Sequence, residues 1–78
     1  MPRRMGEKVP EAVAFGKRIR DLRRKPGLTQ ACLAGKAELH VVQLSHIERG
    51  ANEPKLTTIL RLARALGVSV GELLRPLR

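Results

Sequence analysis

The chain has 78 residues, 42% of them hydrophobic, which suits one small core and is too short for two domains. Sixteen Lys and Arg against seven Asp and Glu leave a formal charge of +9, a field that favours polyanions, nucleic acid first and an acidic membrane surface second. Phe15 is the one aromatic residue, which argues against stacking of bases on aromatic platforms, and the single Cys32 excludes an internal disulfide framework.

In chain order, residues 1–10 combine two prolines, a glycine and three basic residues without apolar periodicity, and read as a mobile basic arm ahead of a domain over 11–78. From Glu11 the pattern turns helical, with Ala12, Phe15, Ile19 and Leu22 at spacings of three and four. Lys25-Pro26-Gly27 stops that helix. Thr29 is an N-cap for a second helix, Gln30–Ala37, and a third, Val41–Arg49, closes at Gly50. Ala51–Pro54 is a loop. Lys55–Leu66 forms a fourth helix, closed by Gly67. Its six apolar residues cover an arc wider than one core stripe needs, which suggests a second buried surface. Ser69-Val70-Gly71-Glu72 reads as a capping box for a fifth helix, with Val68 stapled to Leu73 and Pro76 as its stop. No segment alternates with period two, so the expected fold is all-α, five short helices.

Two short helices three residues apart, in a strongly basic helical domain, suggest a helix-turn-helix over about 29–49. That motif needs a small residue where its helices cross, here Ala34. It also needs apolar residues facing a shared core, here Leu33, Ala37, Leu39, Leu44 and Ile47. Val41, Val42, Ser45, His46 and Arg49 are then left on the outer face of the third helix. Two valines and a histidine are odd on a solvated face, and make sense where apolar groups meet thymine methyls. The competing reading packs Val41 and Val42 beneath the N-terminal arm.

The stretches FGKRIRDLR, GLTQ with LA two residues on, LSHIERG and LARALGVSVGELL occur in this order between Phe15 and Leu74. In them the chain resembles the Xre/Cro-type helix-turn-helix family of phage and bacterial repressors. The resemblance implies a lambda repressor-like fold with its third helix in the major groove, and a homodimer on a palindromic operator. It assigns Gln30, Arg49, Asn52 and Lys55 to DNA phosphates, and Val41, Val42, Gln43 and His46 to base reading, to which Ser45 is added from its place on the same outer face. It pairs Arg23 with Glu48 in an ion pair between the first and third helices. Two positions depart from the family pattern. Glu38 stands where the turn often has glycine, at a cost of roughly 1–2 kcal/mol if left-handed. His40 stands where the third helix is usually capped by Ser, Thr or Asp.

The surplus apolar residues Leu60, Val70, Leu74 and Leu77 are the expected dimer interface. Cys32 with the two histidines matches no common zinc spacing, so no metal or cofactor is expected, and Cys32 reads as a small, partly buried residue. No nucleophile–base pair, carboxylate cluster or phosphate loop supports an enzyme. Arg3 and Arg4 either reach a minor groove or stay unstructured. The function these features favour is a sequence-specific double-stranded DNA-binding transcriptional regulator, in size and organisation similar to restriction–modification controllers. The alternative is an antitoxin that binds a toxin protein and represses its own operon. No apolar run reaches a membrane span and no signal-peptide core opens the chain, so the expected location is the cytoplasm, at the nucleoid.

Overall fold

A computed structural model describes residues 8–77 of the chain. Its elements are α1 (Pro10–Arg24), α2 (Gln30–Lys36), α3 (Val41–Glu48), α4 (Leu56–Leu66), α5 (Val70–Leu73) and a closing 3-10 turn, Arg75–Leu77. These five helices are the expected all-α fold, with no strand among the described residues. The supposed arm lies outside the described residues as far as residue 7. Its last three residues already belong to the domain. Pro10 is the first residue of α1, where a missing N–H costs nothing, and Lys8 Nζ donates to the Arg49 carbonyl at 2.9 Å.

The apolar spacing read in α1 faces inward: Ala12, Phe15 and Ile19 are buried, with Leu22 partly so. They pack with Leu33, Ala34 and Ala37 of α2 and its cap, Leu44 and Ile47 of α3, Leu62 and Ala63 of α4, and Leu73 of α5. Where α1 meets α3 there is no room for a side chain. A Cβ on Gly16 would collide with the Ile47 carbonyl oxygen and lie 2.7 Å from that of Glu48. Sequence inspection passes over Gly16, because a glycine inside a helical pattern signals only weak propensity.

Four helices end in one way. After α1, α2, α3 and α4 the chain steps into the left-handed region at Gly27, Glu38, Gly50 and Gly67, with φ of 86°, 57°, 70° and 70°. At each, the next N–H returns to a carbonyl five residues back: Leu28 to Arg23, Leu39 to Ala34, Ala51 to His46 and Val68 to Ala63, at 2.8–3.0 Å. These are Schellman closures, which satisfy orphan carbonyls of the last turn. They set the ends of α2 and α3 one residue short of the predicted limits, at Lys36 and Glu48. Lys55 is the N-cap of α4 and not its first residue.

At α5 the Ser69 hydroxyl accepts from the Glu72 N–H at 3.0 Å, as a capping serine should. Val68 and Leu73 both join the core. Pro76 does not end α5: the helix stops at Leu73 and Pro76 sits inside the 3-10 turn. Arg18 fixes this end to α1, donating from Nε and Nη2 to the Glu72 carbonyl at 3.2 and 3.0 Å. In the wide apolar arc of α4, Leu62 and Ala63 are buried, and Ile59 and Leu66 also pack against the core. Leu56 and Leu60 stay outside it, 70% and 42% exposed.

Candidate nucleic-acid interface

The interface is built on α3, whose two faces have separate duties. Leu44, Ile47 and Glu48 point into the protein and are buried. Val41 and Val42 stand 44% and 61% exposed, Gln43 is exposed, and Ser45 and His46 are half-buried. The competing reading, in which the N-terminal arm covers the two valines, falls largely on residues 1–7, outside the described residues. His40 precedes the helix as N-cap but makes no side-chain capping bond, in keeping with its departure from the usual Ser, Thr or Asp.

Glu48 anchors this helix to the other two. Arg23 Nε donates to its Oε2 at 2.6 Å and Nη2 to its Oε1 at 3.0 Å, a two-point pairing shut off from water. Arg23 Nη1 donates to the Leu28 carbonyl at 2.8 Å, which holds the α1–α2 connection. The expected ion pair is therefore present and belongs to a larger set. Gln30 Nε2 donates to Glu48 Oε1 at 3.0 Å, and Arg20 Nη2 to the Glu48 carbonyl at 3.0 Å. Burial alone would push the Glu48 carboxyl up. The bonds from Arg23 and Gln30, with the charges of Arg23 and Arg20, outweigh it and hold the group below its ordinary value. The hydrogen bonds that Arg23 donates to Glu48 likewise raise Arg23. Sequence reading missed Arg20 and the inward turn of Gln30. For Arg20 a signal exists, since it lies one helical turn before Arg23 on the same face.

The residues assigned to phosphates flank α3. Arg49 is exposed at its C-cap, with Nε 3.4 Å from the Ser45 carbonyl oxygen. Lys55 is exposed at the start of α4. Asn52 is exposed on the loop between them, its Nδ2 3.4 Å from His46 Nδ1. An open cleft of about 320 Å³, lined by Gln43, Ile47, Asn52, Glu53, Pro54 and Lys55, separates the foot of α3 from this loop. Gln30 stands apart from that rim, its side chain half-buried on Glu48.

The residues expected to pair two copies lie on α4, on α5 with its C-cap, and in the closing turn. Leu60 is exposed, but Val70, Leu74 and Leu77 are half-buried against the core. Leu56, not singled out from the sequence, is the most exposed large apolar residue among those described. Cys32 is exposed and not partly buried, because its place in the first turn of α2 faces away from the core.

A short helix that buries one face in a basic helical unit, presents the other, and meets its predecessor through a tight left-handed turn defines the helix-turn-helix class. The chain belongs to the helix-turn-helix domain family, whose model matches residues 14–78. It is 42% identical over 57 residues to the HTH-type transcriptional regulator DdrOP3 of Deinococcus deserti, covering 73% of this chain and 44% of that relative. The chain thus spans less than half the length of that regulator. Among solved structures, the restriction-modification controller protein C.AhdI from Aeromonas hydrophila is 38% identical with a TM-score of 0.81, over 83% of this chain and 98% of that one. The master regulator for biofilm formation SinR, solved in complex with DNA, is 34% identical with a TM-score of 0.73, over 77% and 97%.

Proposed function

We propose that this chain is a sequence-specific double-stranded DNA-binding transcriptional regulator, binding a palindromic operator as a homodimer. The observation that carries this reading is the division of α3: buried Leu44, Ile47 and Glu48 on one side, exposed Val41, Val42 and Gln43 on the other. In a chain of charge +9, that outer face is suited to the major groove. The likeness to SinR, solved on DNA, and to the regulator DdrOP3 supports the same reading.

In this reading Val41 and Val42 meet thymine methyls, Gln43 pairs with adenine, and Ser45 and His46 reach neighbouring base edges. Arg49, at the C-cap of α3, and Lys55, at the N-cap of α4, hold phosphates. Gln30 has one amide N–H committed to Glu48 and offers the second to a phosphate. Asn52 lies on the rim of the cleft, its amide engaged by His46. Leu60, with Leu74, Leu77 and Val70 behind it, forms the contact between two copies.

The test is affinity for a selected operator and for scrambled DNA at several salt concentrations. Arg49→Ala and Lys55→Ala are expected to weaken both DNAs alike and flatten the salt slope by about one unit each. Val42→Ala and Gln43→Ala are expected to cost roughly 1–3 kcal/mol at one base pair and little on scrambled DNA. Equal losses on both DNAs for the α3 variants would overturn the reading.

A further inference from the structure

The loop after α3 folds back on the helix it leaves. Gly50, at φ 70°, turns the chain so that the Ala51 N–H returns to the His46 carbonyl at 2.9 Å. That turn is pinned from outside. A Cβ on Gly50 would lie 2.8 Å from the Val13 Cα, so α1 fixes where the loop begins. Two residues on, the Asn52 amide nitrogen sits 3.4 Å from His46 Nδ1. With the amide nitrogen turned toward it, Nδ1 is placed to accept, an arrangement that suits a neutral ring carrying its hydrogen on Nε2.

We propose that Asn52 is a positioning residue for DNA reading: it holds His46 in the Nε2–H tautomer, so that His46 donates to an acceptor base edge. Guanine is the favoured target, because its N7 and O6 both accept in the major groove, whereas cytosine presents an N–H₂ donor there. This gives Asn52 a different task from the phosphate contact that family resemblance implies. It rests on the reading of α3 as the helix in the groove, and it adds which base class His46 selects and what makes it select.

The experiment has two arms on the full chain. In the free protein at alkaline pH, long-range proton–nitrogen NMR reports which ring nitrogen of His46 carries hydrogen. Nε2–H is expected in the wild type, and Asn52→Asp, whose carboxylate only accepts, is expected to move the hydrogen to Nδ1. The same tautomer in both proteins overturns the proposal. In the second arm, DNA selected from a random library is compared for the wild type, His46→Ala and Asn52→Ala. Both variants are expected to lose preference at the same guanine-containing base pair, Asn52→Ala by about five- to tenfold. If Asn52→Ala instead weakens operator and scrambled DNA alike with every base preference intact, Asn52 is a phosphate contact and the proposal fails. If His46→Ala leaves every preference intact while Val42→Ala and Gln43→Ala alter theirs, His46 reads no base and the proposal fails. If all three leave every preference intact, the failure lies with α3 as reader. The DNA half of the proposal falls with it, while the tautomer result stands.

Discussion

Burial works against the charged form of Glu48, and Arg23, Gln30 and Arg20, all facing it, more than offset that push. Arg23→Ala or Glu48→Ala is therefore expected to cost roughly 3–5 kcal/mol, since each leaves a lone buried charge or its orphaned partner. A double-mutant cycle in denaturant should return strong coupling, and additive losses would refute the pairing. The pH dependence follows from the direction of the shift. The folded carboxyl titrates below its unfolded value, so the native state binds fewer protons and the pair's contribution is complete above the ordinary carboxylate range. That contribution is lost as pH falls through the lower, folded value. Thermal stability is expected to hold down to about pH 5 and fall below about pH 4, with a shallower acid limb in Glu48→Gln. Glu38 is the opposite kind of residue, exposed and held at φ 57° in the turn of the motif. Glu38→Gly is expected to leave stability unchanged or raise it by up to about 1 kcal/mol, as strain relief competes with added chain entropy. A lower denaturant midpoint would refute the strain.

At the scale of the element, the crossing of α1 over α3 depends on an absent side chain. Gly16→Ala would set a methyl against two backbone carbonyls of α3, and backbone cannot step aside as a side-chain tip can. The expected loss is roughly 1–3 kcal/mol or more, read as a lower melting temperature, despite the better helix propensity of alanine. A rise in melting temperature would mean that the helices separate at little cost. The helices themselves were legible in the sequence, because amphipathic spacing and the closing residues Gly27, Gly50 and Gly67 act locally. Their contacts were less so. Nothing around Gly16 states which helix will lie on it, and Pro76 looks like a stop until the 3-10 turn is seen to accept it. The outward face of α3 could be read from Leu44 and Ile47 alone. The role of Glu48 needed family resemblance, and Arg20 and the inward turn of Gln30 needed the structure, since their partner lies on another helix.

For the whole molecule, the exposed leucines of α4 decide the expected assembly. Leu56 and Leu60 add solvent-facing apolar surface beside a groove of about 160 Å³ that Phe15, Ile59, Leu74 and Leu77 help to line. A dimer built there should set its two α3 helices about 34–36 Å apart, one turn of DNA. Sedimentation is expected to show a concentration-dependent dimer. Leu56→Ser with Leu60→Ser should shift it to monomer and weaken operator binding with little change in melting temperature. Monomer alone at high micromolar concentration, with and without DNA, would refute the dimer.

Because the inner and outer faces of α3 draw on different residues, operator preference and folding can evolve as separate traits. Val41, Val42 and Gln43 take no part in the core, and the Glu48 network does not pass through them. A lineage could therefore exchange these three and acquire a new binding site within a few mutational steps, each costing at most about 0.5 kcal/mol of stability. The same independence makes α3 a ready scaffold for respecification: a library varied at these positions should stay folded nearly throughout and differ mainly in the DNA it retains.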